Sequence, residues 1–106
     1  MCLAYKDCGN LLQGACGNNV ADMSWAYENC HSLVDTTYGQ NVENMYRTFT
    51  NCFNLKTAYC SNKVTNMTFT YENCYNLTKA VCGPQVTNMN NAYKGCVNLS
   101  LAACGP

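Results

Sequence analysis

The chain has 106 residues, with six Lys or Arg against six Asp or Glu, so its formal net charge is zero. Only 11% of residues are charged, too few for the basic face that phosphate binding needs, which argues against a nucleic-acid partner. No apolar run nears the ~20 residues of a bilayer span, and the start, Met1 to Asp7, lacks the basic and apolar segments of a secretory signal peptide.

Ten residues are Cys and sixteen are Asn. Cysteine at this density usually announces a disulfide scaffold, but a repeat changes that reading. Cys8, Cys30, Cys52, Cys74 and Cys96 are spaced by 22 residues. Taking each as position 0 of a coil, Leu11, Leu33, Leu55, Leu77 and Leu99 fall at position 3. Cys16, Tyr38, Cys60, Cys82 and Cys104 fall at position 8. Val20, Val42, Val64 and Val86 occupy position 12; Met23, Met45, Met67 and Met89 occupy position 15, where Met1 also falls. Tyr27, Phe49, Tyr71 and Tyr93 occupy position 19, with Tyr5 in the same column.

In chain order, each coil predicts the same elements. A short strand follows the Leu, with a small residue and then Cys facing inward. Gly17, Gly39, Ser61, Gly83 and Gly105 mark a turn. A second extended piece surrounds the Val. Asp22, Asn44, Asn66 and Asn88 then have the chemistry of a helix N-cap. Met, Ala or Thr, Tyr or Phe, and Cys follow at i, i+3, i+4 and i+7, which predicts one face of a helical turn. A period near 22 residues is too short for a helix-pair repeat and suits one solenoid coil. The predicted fold is an α/β solenoid, leucine-rich-repeat-like. It has one short strand and one helical turn per coil, nearly five coils over residues 1–106, and no distinct caps. Stacked coils superpose equal positions, so each inward column becomes a ladder of like side chains, and stability comes from neighbouring coils.

The run Val64-Thr-Asn-Met67 through Tyr71-Glu-Asn-Cys74-Tyr-Asn-Leu77, with its copies, resembles the BspA-type leucine-rich repeat. In that family the pattern is Val-Thr-x-Met, an aromatic, two residues, Cys, two residues and Leu. The resemblance covers the whole chain. It implies a surface or secreted protein of bacteria, some protists or phages, engaged in adhesion or partner binding. The strands here carry Ala-x-Cys-Gly where many members have two branched aliphatics and Pro.

Three readings of the cysteines compete. Buried free thiols suit inward columns, and Tyr38 in the position-8 column shows that this place asks for an apolar group. Cross-coil disulfides are sterically possible at ladder spacing, but five Cys in one column cannot all pair. Zinc lacks its pattern: there is no Cys-x-x-Cys, and His31 is the only histidine. No cofactor is implied. Cys2 stands outside both columns and is expected as the exposed thiol.

Catalysis finds no constellation. Glu28 and Glu72 share position 20, two coils apart, a separation loosely suited to an inverting glycosidase but otherwise unsupported. His31 beside Cys30 is no dyad, because the ladder turns Cys30 inward and His31 outward. Asn66-Met-Thr68, Asn76-Leu-Thr78 and Asn98-Leu-Ser100 match the N-glycosylation pattern, as sixteen Asn make easy.

Surface columns are more informative. The exposed strand face should show Gln13, Asp35, Thr57, Lys79 and Leu101, and beside them Ala15, Thr37, Tyr59, Val81 and Ala103. Position 1 holds Gly9, His31, Phe53, Tyr75 and Val97 and predicts an exposed aromatic stripe over three coils. Position 17 sets Arg47 between Trp25 and Phe69, as for a cation–π stack. The expected binding residues are Asp35, Thr57, Tyr59, Lys79, His31, Phe53 and Tyr75, for a protein or glycan ligand on a cell surface or virion. Both ends read as ordinary repeat. The alternative is head-to-tail self-stacking into an extracellular filament through Met1, Leu3, Tyr5, Leu99, Ala103 and Cys104.

Overall fold

A computed structural model describes residues 5–15, 19–37, 40–59 and 62–104. Met1, Leu3, Cys2, Cys16, Tyr38 and Cys60 lie outside them. Five strands follow the five leucines: β1 (Gln13–Ala15), β2 (Asp35–Thr37), β3 (Thr57–Tyr59), β4 (Lys79–Cys82) and β5 (Leu101–Cys104). Among the described residues β1 pairs with β2, and β4 pairs with both β3 and β5, all parallel. Every partner is 22 residues away, as Gln13↔Asp35 and Lys79↔Leu101 show. A second parallel ladder runs through Asp22↔Asn44↔Asn66↔Asn88, just beyond the valines. The chain is thus a stack of coils in register, a repeat solenoid.

The helical turn is a correction. Among the described residues there is no helix. Between each Met and the Leu that follows it, the backbone makes a run of β-turns. The N–H groups of Ala26, Glu28, Cys30 and Leu33 each donate to the carbonyl three residues back, at 3.0–3.2 Å. The N–H groups between them leave the coil. Met23, Trp25, Tyr27 and Asn29 donate to the carbonyls of Asn44, Tyr46, Thr48 and Thr50 in the next coil, at 2.9–3.0 Å. A helix would keep its donors for itself. A stack needs every second donor for its neighbour, because buried backbone must be paired. Spacing of i, i+3, i+4 and i+7 suits consecutive turns as well as a helix, so periodicity could not separate them.

Left-handed residues make the alternation possible. Trp25, Arg47, Phe69 and Asn91 at position 17 have φ of 55–61°. Asp7, Asn29, Asn51 and Asn73 at position 21 have φ of 62–65°, and Gly95 has φ 80°. Asn, Asp and Gly tolerate this region; Trp, Arg and Phe pay about 1 kcal/mol or more there. The expected N-caps are Asx turns instead. Asp22, Asn44 and Asn66 accept, through Oδ1, the N–H of Ser24, Tyr46 and Thr68 two residues on, at 2.9–3.0 Å.

The core carries the predicted Met, Leu, Val, aromatic and position-0 Cys ladders, while the side chains of the position-8 column, Cys82 and Cys104 included, lie outside what is described. Met23, Met45, Met67, Leu33, Leu55, Leu77, Val42 and Val64 are buried to 1% exposure or less. The aromatic column is one continuous stack. Tyr5, Tyr27, Phe49, Tyr71 and Tyr93 lie 5.2–5.5 Å apart, with interplanar angles of at most 8°. Cys30, Cys52, Cys74 and Cys96 fill the neighbouring column. Each Sγ–H donates to the carbonyl of the aromatic residue one coil back: Tyr5, Tyr27, Phe49 and Tyr71, at 2.8–3.1 Å. The thiol is small enough for the ladder and still a donor, which explains Cys where Ala would also fit. Cys8, Cys30, Cys52, Cys74 and Cys96 are free, so this column is not a disulfide ladder. Burial raises the thiol pKa of Cys30 and Cys96 to about 11, and that of Cys52 and Cys74 further.

Polar ladders close the turn side. Asn29 donates through Nδ2 to Asp7 Oδ1, Asn51 to Asn29 Oδ1, and Asn73 to Asn51 Oδ1, at 2.8–2.9 Å. Buried hydroxyls are paired too. Thr48 and Thr70 donate to the carbonyls of Met23 and Met45, and Thr50 to that of Phe69.

Candidate binding surface

Cys30 faces the core and its neighbour His31 faces solvent, since the Cys lies in an inward column and the next position turns out. Position 1 therefore stands on the surface in every coil. His31 stacks on Phe53 at 4.6 Å and 12°, and Phe53 on Tyr75 at 5.1 Å and 9°. His31 and Tyr75 are exposed and Phe53 is half-buried between them. The rings cover each other's faces, so the stripe shows solvent mainly a row of ring edges. Val97 continues the column, 76% exposed, and Gly9 begins it.

The strand ridge is a separate surface. Asp35, Thr57 and Lys79 are exposed at the first residues of β2, β3 and β4, and Val81 lies beside them at 40% exposure. Tyr59 ends β3, and its side chain lies outside what is described, as do those of Ala103 and Cys104 in β5. Ala80, between Lys79 and Val81, is fully buried, as period-two alternation requires. Of the end residues, Tyr5 stacks on Tyr27 and Leu99 is half-buried against the core.

A third cluster lies on the turn side. The Arg47 guanidinium sits 4.6 Å from the Phe69 ring and 5.5 Å from the Tyr46 ring. Its Nε donates to the Tyr46 hydroxyl at 3.1 Å. Trp25 meets Tyr46 edge-on at 5.2 Å. Position 17 alone predicted Trp25 as the second ring beneath Arg47; Tyr46 takes that place. Tyr46 was missed because its column holds Ser24, Thr68 and Asn90 elsewhere and carries no pattern.

The two glutamates of position 20 have cationic partners. Glu28 lies 3.7 Å from both Lys6 and Arg47, and Glu72 lies 3.9 Å from Lys94. Both carboxylates are half-buried rather than on open surface. Among the described residues, no group of three His, Cys, Asp or Glu is placed to hold a metal ion. No helix there is long and apolar enough to cross a membrane. Asn66 is spent on its Asx turn, accepting the Thr68 N–H and hydroxyl. Asn76 and Asn98 are exposed, with Nδ2 donating to Asn54 Oδ1 and the Tyr75 carbonyl.

No curated protein and no solved structure matches the chain. The family model for the BspA type leucine rich repeat region (6 copies) matches residues 3–102. With the ladders and the repeated Val-Thr-Asn-Met to Leu segment, that match settles the family: the chain belongs to the BspA-type leucine-rich repeats.

Proposed function

We propose that residues 1–106 form a non-enzymatic binding module of a cell-surface or virion protein. Its role is adhesion through contact with a partner protein. Repeats of this family are often adhesion or protein-binding modules. The observation that carries the reading is the exposed stack of His31, Phe53 and Tyr75. Such a row puts large, rigid, apolar groups at the surface with little side-chain entropy left to lose, as contact surfaces require. Sugar recognition asks for ring faces, and here neighbouring rings cover most of them. That favours protein over glycan as ligand. The strand ridge, with Asp35, Thr57, Tyr59 and Lys79 in its strands, is the second contact surface of this reading.

The test is a binding screen of the intact chain against panels of surface proteins and glycans, repeated with Phe53→Ala and Tyr75→Ala. Protein ligands lost at least tenfold in both variants support the reading. Ligands unaffected by both, or glycans alone, defeat it.

A second reading has its own observation. In three consecutive coils, the N–H groups at positions 15, 17 and 21 reach the next coil, as Met67 reaches Asn88 and Asn73 reaches Lys94. Met89, Asn91 and Gly95 hold those positions in the coil that starts at Cys74, set to bond a further coil in register. More repeats or a second molecule could supply it. End-to-end stacking predicts unbranched fibres in negative-stain electron microscopy and their loss in Met89→Lys. Short rods at micromolar concentration would remove this reading.

A further inference from the structure

The basic side chains divide by face. Lys6, Arg47 and Lys94 lie 3.7–3.9 Å from Glu28 or Glu72 on the turn side. Lys63 donates to Asn41 Oδ1 at 2.9 Å. Lys56 and Lys79 are on the strand ridge, both exposed, and make no ion pair among the described residues. They occupy adjacent coils. The Thr78 N–H donates to the Lys56 carbonyl at 3.0 Å, and Lys79 pairs with Thr57 across β3 and β4, so the two lysines are diagonal neighbours. Thr57, Thr78 and Ser100 surround them with exposed hydroxyls. Neighbouring like charges on a sheet repel, and the fold supplies no counter-charge here. The other half of the ridge has a different chemistry. β3, β4 and β5 form one sheet, β1 and β2 another. Just ahead of β1 and β2 stand Leu12, 62% exposed, and Val34, 37% exposed, with the Val34 N–H on the Leu12 carbonyl. The ridge thus has a cationic half and an apolar half.

We propose that the strand ridge takes an extended acidic segment of a partner protein, its carboxylates on Lys56 and Lys79 and an apolar side chain on Val34 and Leu12. The unpaired charges select the sign of the segment. The apolar half selects a peptide over a free anion or a nucleic acid, whose binding grows with the number of cations it meets. Val34 and Lys79 are two coils apart, about 10 Å at strand spacing, which three residues of extended chain span. The segment that fits therefore carries a Leu or Val, two spacer residues and then two acids. This inference rests on the ridge being a contact surface and makes no use of the aromatic stripe.

The probe is a fluorescein-labelled peptide Leu-Ser-Ser-Glu-Glu, titrated against the intact chain by fluorescence anisotropy. Its controls are Leu-Ser-Ser-Lys-Lys, Ser-Ser-Ser-Glu-Glu and a labelled oligothymidylate. The acidic leucine peptide should bind saturably, at least tenfold tighter than the lysine peptide, and more weakly as salt is raised. Lys56→Gln and Lys79→Gln should each weaken it at least threefold and together at least tenfold, with the melting temperature unchanged, because neither side chain has a partner to lose. Leu12→Ser with Val34→Ser should bring it down to the affinity of the serine peptide. No binding of the acidic peptide at millimolar concentration, equal binding of the lysine peptide, or full binding in the double lysine variant overturns the inference. Oligothymidylate bound as tightly as the peptide does so too, since the ridge is then a general anion surface. A peptide indifferent to the lysine variants but lost in Phe53→Ala would leave the stripe as the contact surface and remove the ridge. Peptide binding that depends on the lysines, with no panel protein lost in Phe53→Ala, would keep the ridge and remove the stripe.

Discussion

Two columns of rings run side by side through the stack and differ only in which way they face. The inner one, Tyr5 to Tyr93, spans five coils with spacings of 5.2–5.5 Å. The outer one, His31 to Tyr75, spans three at 4.6–5.1 Å. The stacking is the same because an in-register parallel stack must superpose equal positions. The consequence differs. Inward, every coil keeps a ring, because a gap there is a cavity among buried Met and Leu. Outward, the column runs from Gly9 to Val97 without penalty to the core. Stacking geometry is thus a product of the fold; only the outer column has composition left over for binding.

The sharpest way to break the comparison is to empty the same height in each. Phe49 and Phe53 are both middle rings, 1% exposed and half-buried. Phe49→Ala should cost about 3–5 kcal/mol, as expected for a buried aromatic. Phe53→Ala should cost about 1 kcal/mol, the value of a stacked pair with part of its area. Urea denaturation monitored by circular dichroism reads both. Equal losses would mean that the outer stripe also holds the coils together.

Alkali should attack the inner column through its buried thiols. Cys30 and Cys96 are raised to about 11, with Cys52, Cys74 and Tyr27 higher still, chiefly by desolvation. In the unfolded chain thiols ionise at their ordinary pKa, about 8.5. Above that pH the unfolded state has given up protons that the folded state retains, so stability falls as pH rises. The contribution is complete below about pH 8.5 and is lost progressively on the way through 11. Under reducing conditions, the melting temperature should drop by about 5 °C or more between pH 8 and pH 10.5. Cys8, half-buried in the first coil, should react with a thiol reagent well before Cys52 and Cys74.

What could be read beforehand follows the same division. Ladders, strands and the outward His31 were legible, since a 22-residue period fixes which residues superpose. The helical turn was not, because turns and helices share the spacing. One column did carry the deciding sign: Asp7, Asn29, Asn51, Asn73 and Gly95 are the residue types that accept positive φ. Position 17 carried none, since Trp25, Arg47 and Phe69 take the same region through their coil-to-coil bonds alone. Tyr46 beneath Arg47 is a contact made once, and a repeat reveals only what recurs. Asn51 separates backbone from ladder. Asn51→Gly keeps the left-handed turn and loses the side-chain bonds to Asn29 and Asn73, for about 1 kcal/mol. Asn51→Ala adds the left-handed penalty, for about 2 kcal/mol in all.

The smallest effect is also the finest test of the division between fold and surface. Gly95→Ala must hold an alanine at φ 80° with Asn73 Oδ1 2.6 Å from its Cβ, so the end of the asparagine ladder has to shift. A loss of about 1–2 kcal/mol is expected. Gly9→Ala meets no atom and no forbidden φ. It restricts only the unfolded chain and should stabilise by about 0.4–1 kcal/mol. Opposite signs for one substitution, read as melting temperatures of two variants, would place Gly95 with the inner, fold-bearing columns and Gly9 with the outer one. A loss at Gly9 comparable to that at Gly95 would mean that the first coil needs its glycine, and the two columns would no longer be separable at that end.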